Sequence, residues 1–222
     1  MLESLVRRRL DGEPLAWITG TATFAGVVVA AHPGVYVPRW QSIELARRAA
    51  ARLPDDGVAV DLCTGSGALA VALRAVRPRA TILATDTDAR AVACARANGV
   101  EVLHGDLFAP LPAALHGSVD VVVAVVPYVP SPALAWLPGD TLRHEDAAHY
   151  DGGPDGTAFL RRVVAEAPAF LKPGGGLLLE VGGEQAALLE DVLAAHGFAA
   201  GATWRDEDGD LRGLECTLTT TS

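Results

Sequence analysis

Lysine is almost missing from this chain: Lys172 is the only one in 222 residues, so arginine supplies 17 of the 18 basic side chains. With alanine also used heavily, this reads as genome composition rather than function. Cysteine is sparse and scattered. Cys63, Cys94 and Cys216 fit neither a zinc spacing nor an even-numbered disulfide framework, and they read as reduced thiols. No apolar run exceeds about seven residues, far short of a membrane span. The opening MLESLVRRRLDGEP has no apolar h-region, so no signal peptide is expected and the location expected is cytoplasmic. Repeats and low-complexity tracts are also missing.

What is present is the balance of a soluble chain that can bury a core: 50% hydrophobic and 20% charged residues. Disorder and collagen-like readings are excluded. The formal charge of −9 gives no global attraction to nucleic acid or an anionic membrane, so neither is an expected partner, although Arg7, Arg8, Arg9, Arg47 and Arg48 cluster near the start. No metal site is expected. Asp206, Asp208 and Asp210 resemble an ion-binding loop, but no glutamate follows at the required spacing, and a hairpin turn is the expectation.

Met1 to Leu10 reads as an amphipathic helix broken by Asp11-Gly12-Glu13-Pro14. Trp17 to Pro38 carries β signals and is expected to form a hairpin, and Ser42 to Leu53 has helical spacing. From Val58 the rhythm changes. Strands are expected at Val58–Leu62, Thr81–Thr85, Val100–Leu103, Val119–Val126 and Leu177–Val181. Helices are expected at Ser66–Val76, Ala89–Asn98, Thr157–Leu171 and Gln185–His196. Thr203–Arg205 and Leu214–Leu218 would form a final hairpin that adds one antiparallel edge strand. Alternating apolar strands and helices imply an α/β, doubly wound, mostly parallel sheet. Two units are expected: 1–50, with helix, hairpin and connecting helix, and 51–222, the sheet domain.

Ligands of such sheets bind at the carboxyl ends of the strands. The strand Val58-Ala59-Val60-Asp61-Leu62 runs into Cys63-Thr64-Gly65-Ser66-Gly67 and then a helix. Gly65 and Gly67 let the backbone approach a ligand, and the helix start presents unpaired N–H groups. Asp86, nineteen residues beyond Gly67, ends the second strand, where a carboxylate can accept from two ribose hydroxyls. The spacing Gly65-x-Gly67-x-x-Ala70 also satisfies the dinucleotide fingerprint. Asp61, placed to meet an ammonium group, and the terminal hairpin favour S-adenosyl-L-methionine over a nicotinamide, and no Tyr-x-x-x-Lys pair supports an oxidoreductase.

Seven fragments then occur in order: Gly12-Glu13-Pro14-Leu15-Ala16-Trp17-Ile18-Thr19-Gly20, Val37-Pro38-Arg39, Asp61 to Gly67, Gly105-Asp106-Leu107-Phe108, Val125-Val126-Pro127-Tyr128, Asp151-Gly152-Gly153-Pro154-Asp155-Gly156 and Leu171 to Glu180. Together they resemble the HemK/PrmC class of protein-(glutamine) methyltransferases, which modify release factors or a ribosomal protein. The resemblance implies a seven-stranded, Rossmann-like S-adenosylmethionine-dependent methyltransferase sheet. It implies donor binding by Asp61, Cys63, Thr64, Gly65, Ser66, Gly67, Asp86, Asp106, Leu107 and Val125. It implies a substrate over Val125, Val126, Pro127 and Tyr128, with Pro127 and Tyr128 as the catalytic pair and a translation factor or ribosomal protein as partner. Arg39, after the rigid Pro38, is a candidate to reach a carboxylate of donor or substrate, and Glu180 is a further candidate. His104, His144 and His149 form no catalytic arrangement and read as surface or loop residues.

Two departures from the family stand out. Its N-terminal helical domain is represented at most by one helix. Its fourth-strand motif is Asn-Pro-Pro-Tyr, where this chain has Val125-Val126-Pro127-Tyr128. A glutamine amide nitrogen is a poor nucleophile whose hydrogens must be held by acceptors, and valine offers none. Val125 either extends an apolar strand or marks a change of substrate. The alternative to an active enzyme is a donor-binding protein of this fold with weak or no catalysis.

Overall fold

A computed structural model describes residues 2–219; Met1 and the last three residues lie outside them. In chain order the elements are α1 (Leu2–Leu10), α2 (Leu15–Thr19), β1 (Thr21–Phe24), β2 (Val27–Ala30), α3 (Ile43–Arg52), β3 (Val58–Leu62), α4 (Ala68–Val76), β4 (Thr81–Asp86), α5 (Ala89–Ala97) and β5 (Glu101–His104). There follow β6 (Val119–Ala124), α6 (Gly139–His144), α7 (Ala158–Glu166), β7 (Leu171–Glu180), α8 (Gln185–Leu188), α9 (Glu190–Ala195), β8 (Ala202–Arg205) and β9 (Leu211–Thr217). Among these, no helix is long and apolar enough to cross a membrane.

The main sheet has seven strands in the order β5-β4-β3-β6-β7-β9-β8. The first five are parallel, and β9 runs antiparallel to both β7 and β8. The expected doubly wound α/β sheet is therefore present, with one correction. The antiparallel strand of the final hairpin is not at the edge: β9 inserts between β7 and β8, and β8 forms the edge. The pairing follows burial, since β9 hides Leu211, Leu214 and Cys216 while β8 hides only Trp204.

Each sheet face has its own core. Val60, Leu62, Val122, Ala124, Leu177 and Leu179 pack towards α7 and α9 through Leu160, Val163, Leu189 and Leu193. Ala59, Val121, Val123 and Leu178 pack towards α3 and α4 through Leu45, Ala49, Leu69 and Leu73. The period-two alternation of strand side chains explains this division, and burial on both faces explains why the strands are apolar throughout. Phe24 and Val29 of the hairpin join the second core, so β1 and β2 are packed on the sheet domain.

The β reading of Trp17 to Pro38 is corrected in part. Its first residues form α2, preceded by Pro14 and closed by Gly20 in the left-handed region at φ 77°. The hairpin itself spans only residues 21–30, turning on Ala25 and Gly26, both at positive φ, as a tight two-residue turn requires. Val35 is buried without strand pairing, and its carbonyl accepts from the Trp17 indole N–H at 3.0 Å. Trp17 thus ties the two ends by a side chain rather than a ladder.

Asn98 ties the hairpin to the glycine-rich turn. Its Oδ1 accepts from the Ala30 N–H at 2.7 Å, and its Nδ2 donates to the carbonyls of Ala30 (3.1 Å) and Ser66 (2.8 Å). Asn98→Ala would leave these backbone groups unpaired, so a loss of roughly 1–3 kcal/mol of stability is expected in denaturant unfolding. An unchanged midpoint would show that water replaces the amide at no cost.

Candidate functional site

The strand order reverses between β3 and β6, and the segments leaving their carboxyl ends lie side by side. One is the turn 63–67, and the other is Val125-Val126-Pro127-Tyr128. Three residues of the turn hold positive φ: Cys63 (55°), Gly65 (56°) and Gly67 (80°). The left-handed region is free of Cβ strain only for glycine, so Cys63 is held there by its surroundings. Thr64 N–H donates to the Thr85 carbonyl at 3.1 Å, and Gly67 N–H donates to the Thr64 carbonyl at 2.9 Å. A Cβ on Gly67 would come within 2.8 Å of Val100, which explains that glycine by packing. A Cβ on Gly65 would meet only Tyr36, at 3.9 Å, so the space above that residue is open.

Two carboxylates flank the turn. Asp61 is 2% exposed and accepts from the Thr64 hydroxyl at 2.6 Å. Burial pushes its pKa up to about 7, against the pull of Thr64 and the Ala70 N–H. No cation pairs with it among the described residues. Asp86 accepts from the Gly65 N–H and the Asp88 N–H, both at 2.9 Å. Burial raises its pKa, while these two bonds oppose the rise. Burial also pushes the Cys63 thiol well up, so it is a packed thiol rather than a thiolate. On the far side, Leu107 is buried at φ 43°, and Asp106 is an exposed carboxylate paired with Arg162 at 2.6 Å.

Two cavities meet here. A small one of about 50 Å³ is lined by Asp61, Thr64, Gly65, Ser66, Phe24 and Val125, among others. A large one of about 810 Å³ reaches Asp86, Asp106, Tyr128, Tyr150, Phe159 and Glu180. Tyr36, Cys63, Gly65 and Val125 line both, so Val125 stands where the two spaces join. Val126 lines the large cavity as well, although it is 2% exposed and joins the core.

Tyr128 is fixed from several directions. Its hydroxyl donates to Glu180 Oε1 at 2.9 Å, and Ser42 donates to Oε2 of the same buried carboxylate at 2.5 Å. Burial raises the Glu180 pKa. The Tyr128 carbonyl accepts from Gln185 Nε2 at 2.5 Å. The glycine loop at 151–156 lies against it, with Gly152 N–H donating to the Val129 carbonyl at 2.8 Å. The same loop starts α7, since Asp155 Oδ1 accepts from the Thr157 N–H at 2.9 Å. The motif therefore serves both as helix start and as support for Tyr128.

Arg39 points to a residue of this chain. It pairs with the buried Glu145 at 2.5 Å, donates to the Tyr150 hydroxyl at 2.9 Å and lies 5.2 Å from the Tyr36 ring centroid. Burial, the largest single influence, works against its charge, but Glu145 together with Tyr36 and Tyr150 outweighs it and raises its pKa. Glu145, Tyr150 and the roof segment carrying α6 had no signal in the sequence reading, because their role is set by a contact between residues 106 apart. His149 lies, as expected, in the loop between α6 and α7, in a short 3-10 turn, and its side chain, 17% exposed, lines the large cavity beside Asp88. His104 is exposed and His144 half-buried, and they are bonded to the Thr87 and Asp11 carbonyls. Asp206 accepts from Asp208 and Asp210 N–H groups and pairs with Arg212, forming the expected turn.

Comparison with known proteins places this geometry. The family described as "Methyltransferase small domain" matches residues 27–127. The release factor glutamine methyltransferase of Mycolicibacterium smegmatis is 42% identical over 184 residues, covering 80% of this chain and 65% of the relative. That of Geobacter sulfurreducens is 34% identical over 211 residues, covering 92% and 73%. A 4-amino-L-phenylalanine/4-methylamino-L-phenylalanine methyltransferase of Streptomyces pristinaespiralis is 35% identical over 216 residues, covering 92% and 73%. This chain thus spans about two thirds to three quarters of its relatives' length. A solved methyltransferase from Pyrococcus furiosus shares the fold at a TM-score of 0.62 and 18% identity, covering 98% of this chain and 100% of that one.

Proposed function

Because the chain belongs to the release factor glutamine methyltransferase family, we propose that it transfers a methyl group from S-adenosyl-L-methionine to a nitrogen of its substrate. The relatives' acceptors are named as a release factor glutamine or an aromatic amine, and attack by nitrogen is what these have in common.

The observation that carries this reading is the pair of carboxylates around an open glycine turn. Asp61 is a buried acid with no paired cation among the described residues, lines the small cavity, and suits the donor's ammonium group. Asp86 is held by two backbone N–H groups and keeps lone pairs for ribose hydroxyls. Gly65 leaves room for the donor, and Cys63, Thr64, Ser66 and Gly67 shape the turn. Asp106 and Leu107 border the other end, where Arg162 already engages Asp106. When bound, the donor supplies a sulfonium-activated methyl group. Val125 lies at the passage between donor and acceptor spaces, with the Pro127-Tyr128 pair beyond it. Tyr128 offers its ring to an acceptor, because its hydroxyl is committed to Glu180. Arg39 is committed to Glu145, so its part is to hold the roof.

By family, a protein such as a release factor is the first acceptor to test. Calorimetry should show binding of S-adenosylmethionine and of its demethylated product, and failure of both to bind would remove this reading. Incubation of the protein with labelled donor and release factor should give slow transfer. Val125→Asn, which restores an amide-pairing group, should accelerate it on the order of 10²-fold, the effect of one oriented polar partner. Equal rates for both proteins would show that position 125 does not face the acceptor.

A further inference from the structure

Two residues on the wall of the large cavity carry a buried polar atom with no hydrogen-bond partner among the described residues: Gln41, through Oε1, and His149, through Nδ1. A buried polar group left unpaired is unfavourable, so each invites a ligand. His149 stands at the donor end of the cavity, whose wall there also carries Asp86, Thr87 and Asp88. Its Nε2 lies 3.9 Å from Asp88 Oδ2, too far for a hydrogen bond. Its charge reaches Asp86 as well, acting against the upward push of burial. The ring is nonetheless fixed. Asp146 Oδ1 accepts from the Ala148 N–H, and the Asp146 carbonyl accepts from the His149 N–H, both at 3.0 Å. The imidazole meets the Tyr36 ring edge to face, with centroids 6.3 Å apart. The next residue, Tyr150, accepts from the Val129 N–H at 2.8 Å through its carbonyl. An imidazole with unspent bonding capacity is thus held in place beside the carboxylate suited to the ribose.

We propose that His149 is a second binding residue for the ribose of the methyl donor, giving a hydrogen bond from the roof to a hydroxyl that gives its own to Asp86. This rests on the methyltransferase reading and concerns the donor half of the same site. The ribose of the donor carries two neighbouring hydroxyls, and each is both a hydrogen-bond donor and an acceptor. The ionised Asp86 only accepts, so it takes the hydroxyl protons and leaves the oxygen lone pairs without a partner. Several N–H groups at this end are already spent. Those of Gly65 and Asp88 serve Asp86, and the Arg90 backbone and guanidinium serve Asp88. A neutral imidazole carries an N–H in either tautomer, and His149 spends its ring N–H on no residue described. One hydroxyl held between carboxylate and imidazole satisfies all three groups. Because the ring is fixed before the donor arrives, little ordering entropy opposes the bond.

The test is calorimetry on the full chain with S-adenosylhomocysteine and its 2′-deoxy and 3′-deoxy analogues, and it needs no turnover. His149→Phe keeps a ring against Tyr36 and removes the N–H. It should weaken binding of the unmodified compound about tenfold, the worth of one hydrogen bond, and leave one of the two deoxy analogues within about twofold of its wild-type affinity. His149→Gln, which keeps an N–H, should recover part of the loss. A second readout uses the unaltered protein, so it stands even where His149→Phe fails to fold. One histidine imidazole nitrogen resonance should move when S-adenosylhomocysteine is added, and move less with the analogue that lacks the bonded hydroxyl. The proposal is overturned if His149→Phe weakens all three compounds equally, because the ring then only packs on Tyr36. It is also overturned if the substitution weakens none of them, or if no histidine resonance distinguishes the three. Failure of the wild-type protein to bind S-adenosylhomocysteine or S-adenosylmethionine at all would instead defeat the methyltransferase reading on which it stands.

Discussion

Replacing Asp61 by Asn should weaken S-adenosylmethionine binding about 10- to 100-fold while leaving the protein folded. The loss corresponds to one charge-assisted hydrogen bond, about 1.5–3 kcal/mol. Asn can still accept from Thr64, the bond that now holds Asp61 at 2.6 Å, so the turn should persist. The pH dependence gives a sharper signature. Burial raises the Asp61 pKa from 3.8 to about 7 in the folded protein. A raised folded-state pKa means that the native state holds a proton which the unfolded chain gives up near pH 4. The stabilisation is therefore complete below the unfolded pKa and is lost as pH rises through about 7. Asp61→Asn carries no such proton. Its stability relative to wild type should rise between about pH 4 and 7, by on the order of a few kcal/mol. Donor binding should show the converse: in wild type it should tighten from pH 5.5 to 7.5 as the carboxylate forms, and in the variant it should stay flat. Calorimetry and thermal melts across that range measure both. A variant with wild-type affinity would show that Asp61 is only a cap for the following helix.

The second large effect is expected at Gly156, twenty-eight residues from Tyr128 in sequence but against it in space. Its φ of 77° is costly for any side chain. A Cβ there would fall 2.2 Å from the Tyr128 carbonyl oxygen and 2.4 Å from Gln185 Nε2. Neither neighbour can yield freely, because the Gln185 amide spans the carbonyls of Tyr128 and Gly156 and the N–H of Gly182. Gly156→Ala should cost roughly 2–5 kcal/mol, combining backbone strain with overpacking. The damage should be local first: hydrogen exchange should accelerate at Val129 and Gly152, whose amides pair across this junction. Donor binding should change less, since Asp61 and Asp86 lie on other elements. If the melting temperature and exchange are unchanged, Tyr128 is not braced by this loop.

The sheet was readable in the sequence because its signals are local. Continuous apolar strands such as Val119–Ala124 have no other stable home than a sheet covered on both faces. The turn at 63–67 was readable because its glycines carry a backbone constraint that few other residues can meet. The resemblance located Val125 as a departure from Asn, though not its position between two cavities. Less legible were the elements whose form depends on a distant partner. Trp17 sits in a short helix with its indole bonded to the Val35 carbonyl, and Val35 to Val37 belong to no strand. The stretch 131–150 carries no strong periodicity. It is organised by Arg39 meeting Glu145, by Val129 pairing with Asp151, and by helix α6 lying against the turn at Asp11 and Gly12.

Composition, strand pattern and glycine spacing by themselves determined the class of sheet, the place of the glycine-rich turn and the two acids beside it. Each depends on interactions within a few residues or on a two-sided burial that the chain writes along its own length. Only the tertiary structure decided what the charged and aromatic side chains do. Arg39, Glu180 and Tyr150 could each have faced a ligand, and each instead found a partner in the chain. Those partners lie as far as 138 residues away, as for Ser42 and Glu180, and a buried charge takes whichever counter-group the fold brings within reach.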